Sequence, residues 1–278
     1  MEVPEELASM LDGDHGPTKQ KAASLVVDLA STAGAKEFIR ASHAHVSGVS
    51  VITGGHGLRR FLADLSGDKN GKVAIPTTLN SAGCDHEKME EMDIEYPDFL
   101  EQQFEIVHSY SELGIDATLS CTPYDRGIED EKGIGSWAES NAVCFSNSYT
   151  SLVTNRESGL SALATALTGW APRWGLHLEE NRAPNILVHV DCRMEDMTDW
   201  SILGDWIGKQ IQPEWKLPWG PMPRIIGLPI ATFEMKKALT AAAANYGCPM
   251  LWADGITDDA PDVENFQGIL HFNQSDLS

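Results

Sequence analysis

Apolar positions along this chain alternate between two periods. Ala22, Leu25, Val26 and Leu29 fall at helical spacing within Lys19–Ala33, after a Gly13–Pro17 turn. Ala41–Val46 reads as a short strand running toward Gly48. Gly54, Gly55 and Gly57 then lead into a helical pattern of Leu58, Phe61, Leu62 and Leu65. The alternation recurs: Lys72–Ile75 is strand-like, and Phe99–Leu113 is helical through Leu100, Gln103, Phe104 and Val107. Ala117–Ser120 is strand-like again. Ser136–Phe145 and Leu160–Leu167 read as helices, Ile186–Val190 as a strand and Trp200–Ile211 as a helix. Strand Arg224–Gly227, helix Thr232–Asn245 and strand Pro249–Trp252 follow, and a further strand signal begins at Ile269. Short strands alternating with helices predict an α/β fold with a largely parallel sheet. The Pro-rich stretch 212–223 fits a long surface loop better than a linker, and marks the place where a subdomain boundary could fall.

Composition narrows the possible partners. The 278 residues suffice for one large domain or two ordinary ones, and 42% hydrophobic residues can supply a core. With 41 acidic against 20 basic side chains, the formal charge is −21. That field opposes a surface for nucleic acid or an anionic membrane. The opening MEVPEELASM shows no secretory pattern, and charged residues or glycines interrupt every apolar run. A soluble, cytoplasmic protein is expected. The five cysteines, Cys84, Cys121, Cys144, Cys192 and Cys248, form no C-x-x-C pair. Reduced thiols, with at most one ligand among them, are expected in place of a zinc ribbon or a disulfide framework.

In α/β proteins the loops that follow strands carry function, and four such segments here are rich in small and polar groups. In Ser42–Ser50, backbone N–H groups of the Gly48-Val49-Ser50 turn and the Ser50 hydroxyl can hold a carboxylate or phosphate. His43 and His45 in that segment are either packed, hydrogen-bonded histidines or a metal pair, and spacing favours packing. In Pro76–Gly83, Asn80 can donate to and accept from a substrate, or close an Asx turn. Ser120–Tyr124 places Cys121 at a strand end, where a lone cysteine is ordinarily a small apolar residue. In Ser136–Ala142, Glu139 in an apolar helix requires a partner or a chemical role. Arg156 further on can clamp a carboxylate or pair with Glu157 or Glu139. The chain has no phosphate-loop, dinucleotide, G-x-S-x-G or H-E-x-x-H motif. Read from the residues alone, it is a soluble α/β protein with a polar pocket.

The stretches AHVSGVS, PTTLN with AG, CTPY, WAESNAV with FSNS, TNRESG with LTG, GLHLEENR and DGITDDAP occur in this order. As a series they resemble the aconitase X family, from the first helix to about Pro261. The resemblance implies aconitase-like three-layer α/β domains with largely parallel sheets. It also implies a hydro-lyase large subunit completed by a small swivelling subunit in a heterodimer. The implied reaction is elimination of water from a small anionic hydroxy acid, with an iron–sulfur cluster, of the 4Fe-4S type, as Lewis acid.

Cys121 matches one of three cysteine ligands in that family. The other two are expected in a later region, so the 278 residues read as a catalytic region incomplete at the C-terminus. Cys248, although in Gly-Cys-Pro, aligns with a segment that carries no ligand, and Cys84, Cys144 and Cys192 fall where the family needs no thiol. Gly48, Val49, Ser50, Asn80, Ser81, Glu139 and Ser140 align with substrate-contacting positions. Ser81 stands where the family commonly has proline. Glu139 is the local candidate for an acid–base or orienting role, beside a serine expected from the small subunit. HAHVSGVS leans toward the branch that dehydrates phosphomevalonate in the archaeal mevalonate route, over the branch that dehydrates cis-3-hydroxy-L-proline. A non-catalytic truncated or assembly subunit is the third reading.

Overall fold

The computed structural model describes residues 2–85, 88, 91–92, 97–126, 132–211, 219–257 and 260–277. The chain separates into two compact units, each with its own apolar core. Unit 1 comprises Met1–Pro123, Ile134–Glu139 and Glu157–Trp174; unit 2 comprises Tyr124–Gly133, Ser140–Arg156 and Gly175–Ser278. Most of the Pro-rich stretch 212–223 lies outside the described residues.

Unit 1 begins with helices α1 (Glu5–Asp12) and α2 (Pro17–Ala33). Pro17 at the first helical position and Gly34 in the left-handed conformation set the ends of α2. Strands β1 (Phe38–Arg40) and β2 (His43–Val46) follow, then α3 (Val51–Ser66), whose helical path is broken at Gly55. Next come β3 (Thr77–Leu79), α4 (Pro97–Glu112) and β4 (Lys132–Trp137). After α5 (Ser140–Tyr149) and β5 (Ser151–Arg156), which belong to unit 2, unit 1 ends with α6 (Gly159–Thr168) and β6 (Trp170–Pro172).

Strand β2 runs parallel to β3 on one side and to β4 on the other, pairing Ala44 with Thr77 and Ser136. Strands β1 and β6 pair antiparallel. A core of Leu62, Leu65, Leu79, Ile106, Tyr110, Leu113 and their neighbours fills the unit.

Several predicted elements differ from those observed. The strand expected at Lys72–Ile75 lies at Thr77–Leu79, in the polar run read as a loop. β-Branched Thr77 and Thr78 are buried there because their hydroxyls are satisfied, by Ile75 O and by His45 Nδ1. Ala117–Ser120 forms no strand. The Thr118 hydroxyl bonds both Leu79 N (3.1 Å) and Leu79 O (2.8 Å), and at Leu79 N it stands in for a backbone acceptor. The helix expected at Ser136–Phe145 is strand to Trp137 and helix from Ser140, because Ser136 and Trp137 pair with β2.

In unit 2, β7 (Ile186–Asp191), β8 (Pro223–Ile226), β9 (Trp252–Ala253) and β10 (Gly268–Asn273) form an all-parallel sheet in the order β10-β7-β8-β9. Helices α7 (Met197–Gln210) and α8 (Phe233–Ala244) pack together beside it, burying Trp200, Leu203, Ile207 and Leu239 with Ile186, Val188 and Phe272. Asp196 and Asp199 form a reciprocal capping box at the start of α7. Both units therefore carry the predicted α/β arrangement with parallel sheets. Among the described residues no helix is long and apolar enough to cross a membrane.

Candidate functional site

Parallel strands release their loops at one edge of a sheet, and in unit 1 that edge gathers the loops after β2, β3 and β4. The chain leaves β2 through Ser47 and exposed Gly48, whose φ of +79° is a left-handed value that glycine adopts without strain. Val49 is buried, and Ser50 caps α3, its Oγ accepting from Ile52 N at 3.2 Å. That bond leaves the Ser50 O–H able to donate.

After β3, Asn80 continues the ladder through its backbone N–H to Val46 O at 2.9 Å. Its Nδ2 donates to Glu139 Oε2 at 2.8 Å. Its Oδ1 is buried beside the His45 ring, whose pKa the Asn80 side chain raises. Ser81 beside it is exposed.

Glu139 lies just past β4, positioned because Ala138 N donates to His45 O at 3.0 Å and so carries the β2–β4 pairing beyond Trp137. It is half-buried at a strand-to-helix junction, not inside an apolar helix. Ser140, the next residue, opens α5 in unit 2.

Beneath these loops, the two histidines of β2 take the packed reading. Trp137 Nε1 donates to His43 Nδ1 at 3.0 Å, His45 Nδ1 meets Thr78 Oγ1 at 2.8 Å, and the indole lies edge-on to both rings. Burial holds His43 down to about 4. It holds His45 down to about 3, with help from His43 and against the opposing effect of the Asn80 side chain. Both rings are neutral at pH 7, which suits a floor of hydrogen bonds.

Cys121 is a half-buried free thiol. Before it the backbone turns through Leu119, at φ +46° the one non-glycine residue with positive φ among those described. Ser120 Oγ then accepts from Thr122 N at 3.2 Å. Among the described residues no group of three or more His, Cys, Asp or Glu side chains could hold a metal ion. One thiol does not make a cluster site, so these residues do not by themselves fit an iron–sulfur cluster. Cys144 and Cys248 are buried in unit 2, where burial and Cys248 push the Cys144 thiol well up; Cys84 and Cys192 are half-buried.

Several polar residues that follow the fourth segment are structural. Asn147 Oδ1 accepts from Thr154 N and its Nδ2 donates to Thr154 O, both at 2.9 Å, so the side chain imitates a strand partner within unit 2. Asn155 Oδ1 accepts from Leu176 N at 2.7 Å. Arg156 donates to Gly247 O at 3.2 Å. Burial raises the pKa of Glu157, opposed by a bond to the Ser161 side chain.

One site residue escaped the pattern reading. Gln103 counted as a member of the apolar face of α4, yet it is a fully buried amide bonded to the loops after β2 and β3. An amide standing in an apolar helical stripe was the available signal.

Comparison with known proteins follows the same outline. Family models described as "Aconitase X first domain" and "Aconitase X second domain" match residues 1–180 and 184–276. The chain is 36% identical over 258 residues to the phosphomevalonate dehydratase large subunit of Methanothermobacter thermautotrophicus, covering 90% of this chain and 61% of that protein. It is 31% identical over 268 residues to the cis-3-hydroxy-L-proline dehydratase of Pseudomonas aeruginosa, covering 94% and 44%. The crystal structure of Thermococcus kodakaraensis aconitase X in its holo-form matches with a TM-score of 0.86 at 32% identity, over 100% of this chain and 68% of that one. The chain spans less than two thirds of the length of the archaeal large subunits it matches.

Proposed function

Because the chain belongs to the aconitase X family, we propose that it carries substrate-binding loops of a hydro-lyase large subunit that dehydrates (R)-5-phosphomevalonate to trans-anhydromevalonate 5-phosphate. The observation that carries this reading is the Asn80–Glu139 pair, set at the loop edge of a parallel sheet beside a capped glycine turn.

Elimination of water removes a proton and a hydroxyl from adjacent carbons, and needs a group that holds or moves the proton. Glu139 takes that acid–base or orienting role, its carboxylate fixed by Asn80 Nδ2. Asn80 Oδ1, buried beside the His45 ring, accepts from a donor group of the substrate. The Ser50 hydroxyl and the N–H groups of the Gly48–Ser50 turn suit a carboxylate or phosphate, which lets a chain of net charge −21 bind an anion locally. Ser81 completes the proposed contacts in unit 1. Cys121 is the thiol assigned to an iron–sulfur cluster of the assembled enzyme. The remaining ligands are not among the residues described.

The working form pairs the chain with a small swivelling subunit in the cytoplasm, a reading supported by archaeal relatives named as large subunits. Cis-3-hydroxy-L-proline is the competing substrate, supported by the 31% identity to the Pseudomonas enzyme. The complete large subunit, joined to its small subunit and reconstituted anaerobically, is to be assayed with both substrates side by side. Turnover of phosphomevalonate alone supports the proposal; turnover of hydroxyproline alone transfers it to the competing branch.

A further inference from the structure

Gln103 is 0% exposed, and its amide is used on both sides. Oε1 accepts from Val51 N at 3.0 Å and from Gly83 N at 3.1 Å, while Nε2 donates to Val49 O at 3.0 Å. These bonds end on two loops, one leaving β2 and the other leaving β3. A Cβ built on Gly83 would fall 2.7 Å from both Gln103 Oε1 and Ser50 Oγ, so the loops meet at this amide.

We propose that Gln103 is the positioning residue of the site: it locks the Gly48–Ser50 turn and the Asn80–Gly83 loop together so that both engage one substrate. This rests on the reading of those loops as substrate-contacting. The place requires an acceptor for two N–H groups and a donor for one carbonyl, a combination that a neutral amide supplies. A leucine leaves three backbone groups unpaired, two of them buried, and an ionised glutamate keeps the acceptors but loses the donor and buries a charge. A protonated glutamate restores the pattern, its carbonyl accepting and its hydroxyl donating.

That difference gives the test a pH signature. Wild type, Gln103→Leu and Gln103→Glu are compared in the assembled enzyme by hydrogen exchange over residues 47–53 and 80–84, and by KM and kcat for phosphomevalonate. In Gln103→Leu, exchange in both segments quickens and KM rises, each by about tenfold or more, with a smaller change in kcat. Gln103→Glu matches it at neutral pH and returns toward wild type as acid protonates the buried carboxyl; should the leucine variant fail to fold, this variant carries the test. Unchanged exchange in either segment overturns the proposal, and so does an unchanged KM with both segments loosened. A wild-type enzyme that turns over neither hydroxy acid counts against the substrate reading, and exchange alone then decides whether Gln103 joins the loops.

Discussion

Asn80 Nδ2 donates to Glu139 Oε2 at 2.8 Å across 59 positions of sequence. The contact exists because β3 and β4 both flank β2 in parallel, so their C-terminal loops emerge side by side. A half-buried, charge-assisted bond of this kind couples its partners. A double-mutant cycle on Asn80→Ala and Glu139→Ala, measured by urea unfolding, should return a coupling of about 1 kcal/mol or more. Additive losses would show that the pair does not act as a unit.

The floor of the site depends on Trp137, which is 0% exposed and donates to His43. Trp137→Phe removes the indole N–H and leaves a void beside two histidines. The expected loss of stability is about 2–4 kcal/mol, read from the denaturant midpoint at an unchanged slope. A loss below about 0.5 kcal/mol, the range of an ordinary surface change, would contradict this account.

His43 and His45 make acid stability a second test. Their pKa values in the fold, about 4 and about 3, lie below the ordinary value of 6.5, so the unfolded chain binds more protons between these limits. Stability from the neutral rings is complete above pH 6.5 and is lost as pH falls from there toward 4 and 3. Each ring contributes a slope approaching about 1.4 kcal/mol per pH unit within its window. His45→Asn should flatten the stability profile between pH 6.5 and 4 relative to wild type. An identical profile in the variant would place the titration elsewhere.

Gly159, at the start of α6, lies where an added Cβ would come 2.3 Å from Ser47 O, a backbone atom that cannot swing away. Gly159→Ala should therefore push the Ser47–Ser50 turn outward. Overpacking of this kind costs about 1–3 kcal/mol, and the displaced turn should also weaken substrate binding. A variant with wild-type stability and wild-type KM would mean that the turn yields freely and is not held by α6.

The sequence makes some of this structure legible and hides the rest for physical reasons. Helices α2, α7 and α8 fall within a few residues of their predicted bounds, because apolar spacing coincides there with end signals: Pro17 and Gly34 for α2, Asp196 for α7 and Thr232 for α8. The apolar pattern hides strand β4 because Gly133 and Gly135 weaken its alternation and Trp137 blends into the apolar helix that follows. Thr77–Leu79 reads as a loop in sequence because its burial depends on hydroxyl bonds that no periodicity records. Asn147 and Asn155 show the converse, since nothing local says that an amide will serve backbone groups. Ordered motifs pointed to the loops holding Gly48–Ser50, Asn80 and Glu139, whereas the bond between the last two and their tie to Gln103 are tertiary facts.

The most direct test of the central claim is turnover of (R)-5-phosphomevalonate by the complete, anaerobically reconstituted enzyme, comparing wild type with Glu139→Gln. The variant keeps the shape of the side chain but removes the carboxylate that Asn80 orients. Wild type is expected to form the anhydro product, and kcat to fall about 10²-fold or more in the variant through loss of a positioned acid–base group. Equal kcat in the two proteins, or no product from wild type, would contradict that claim.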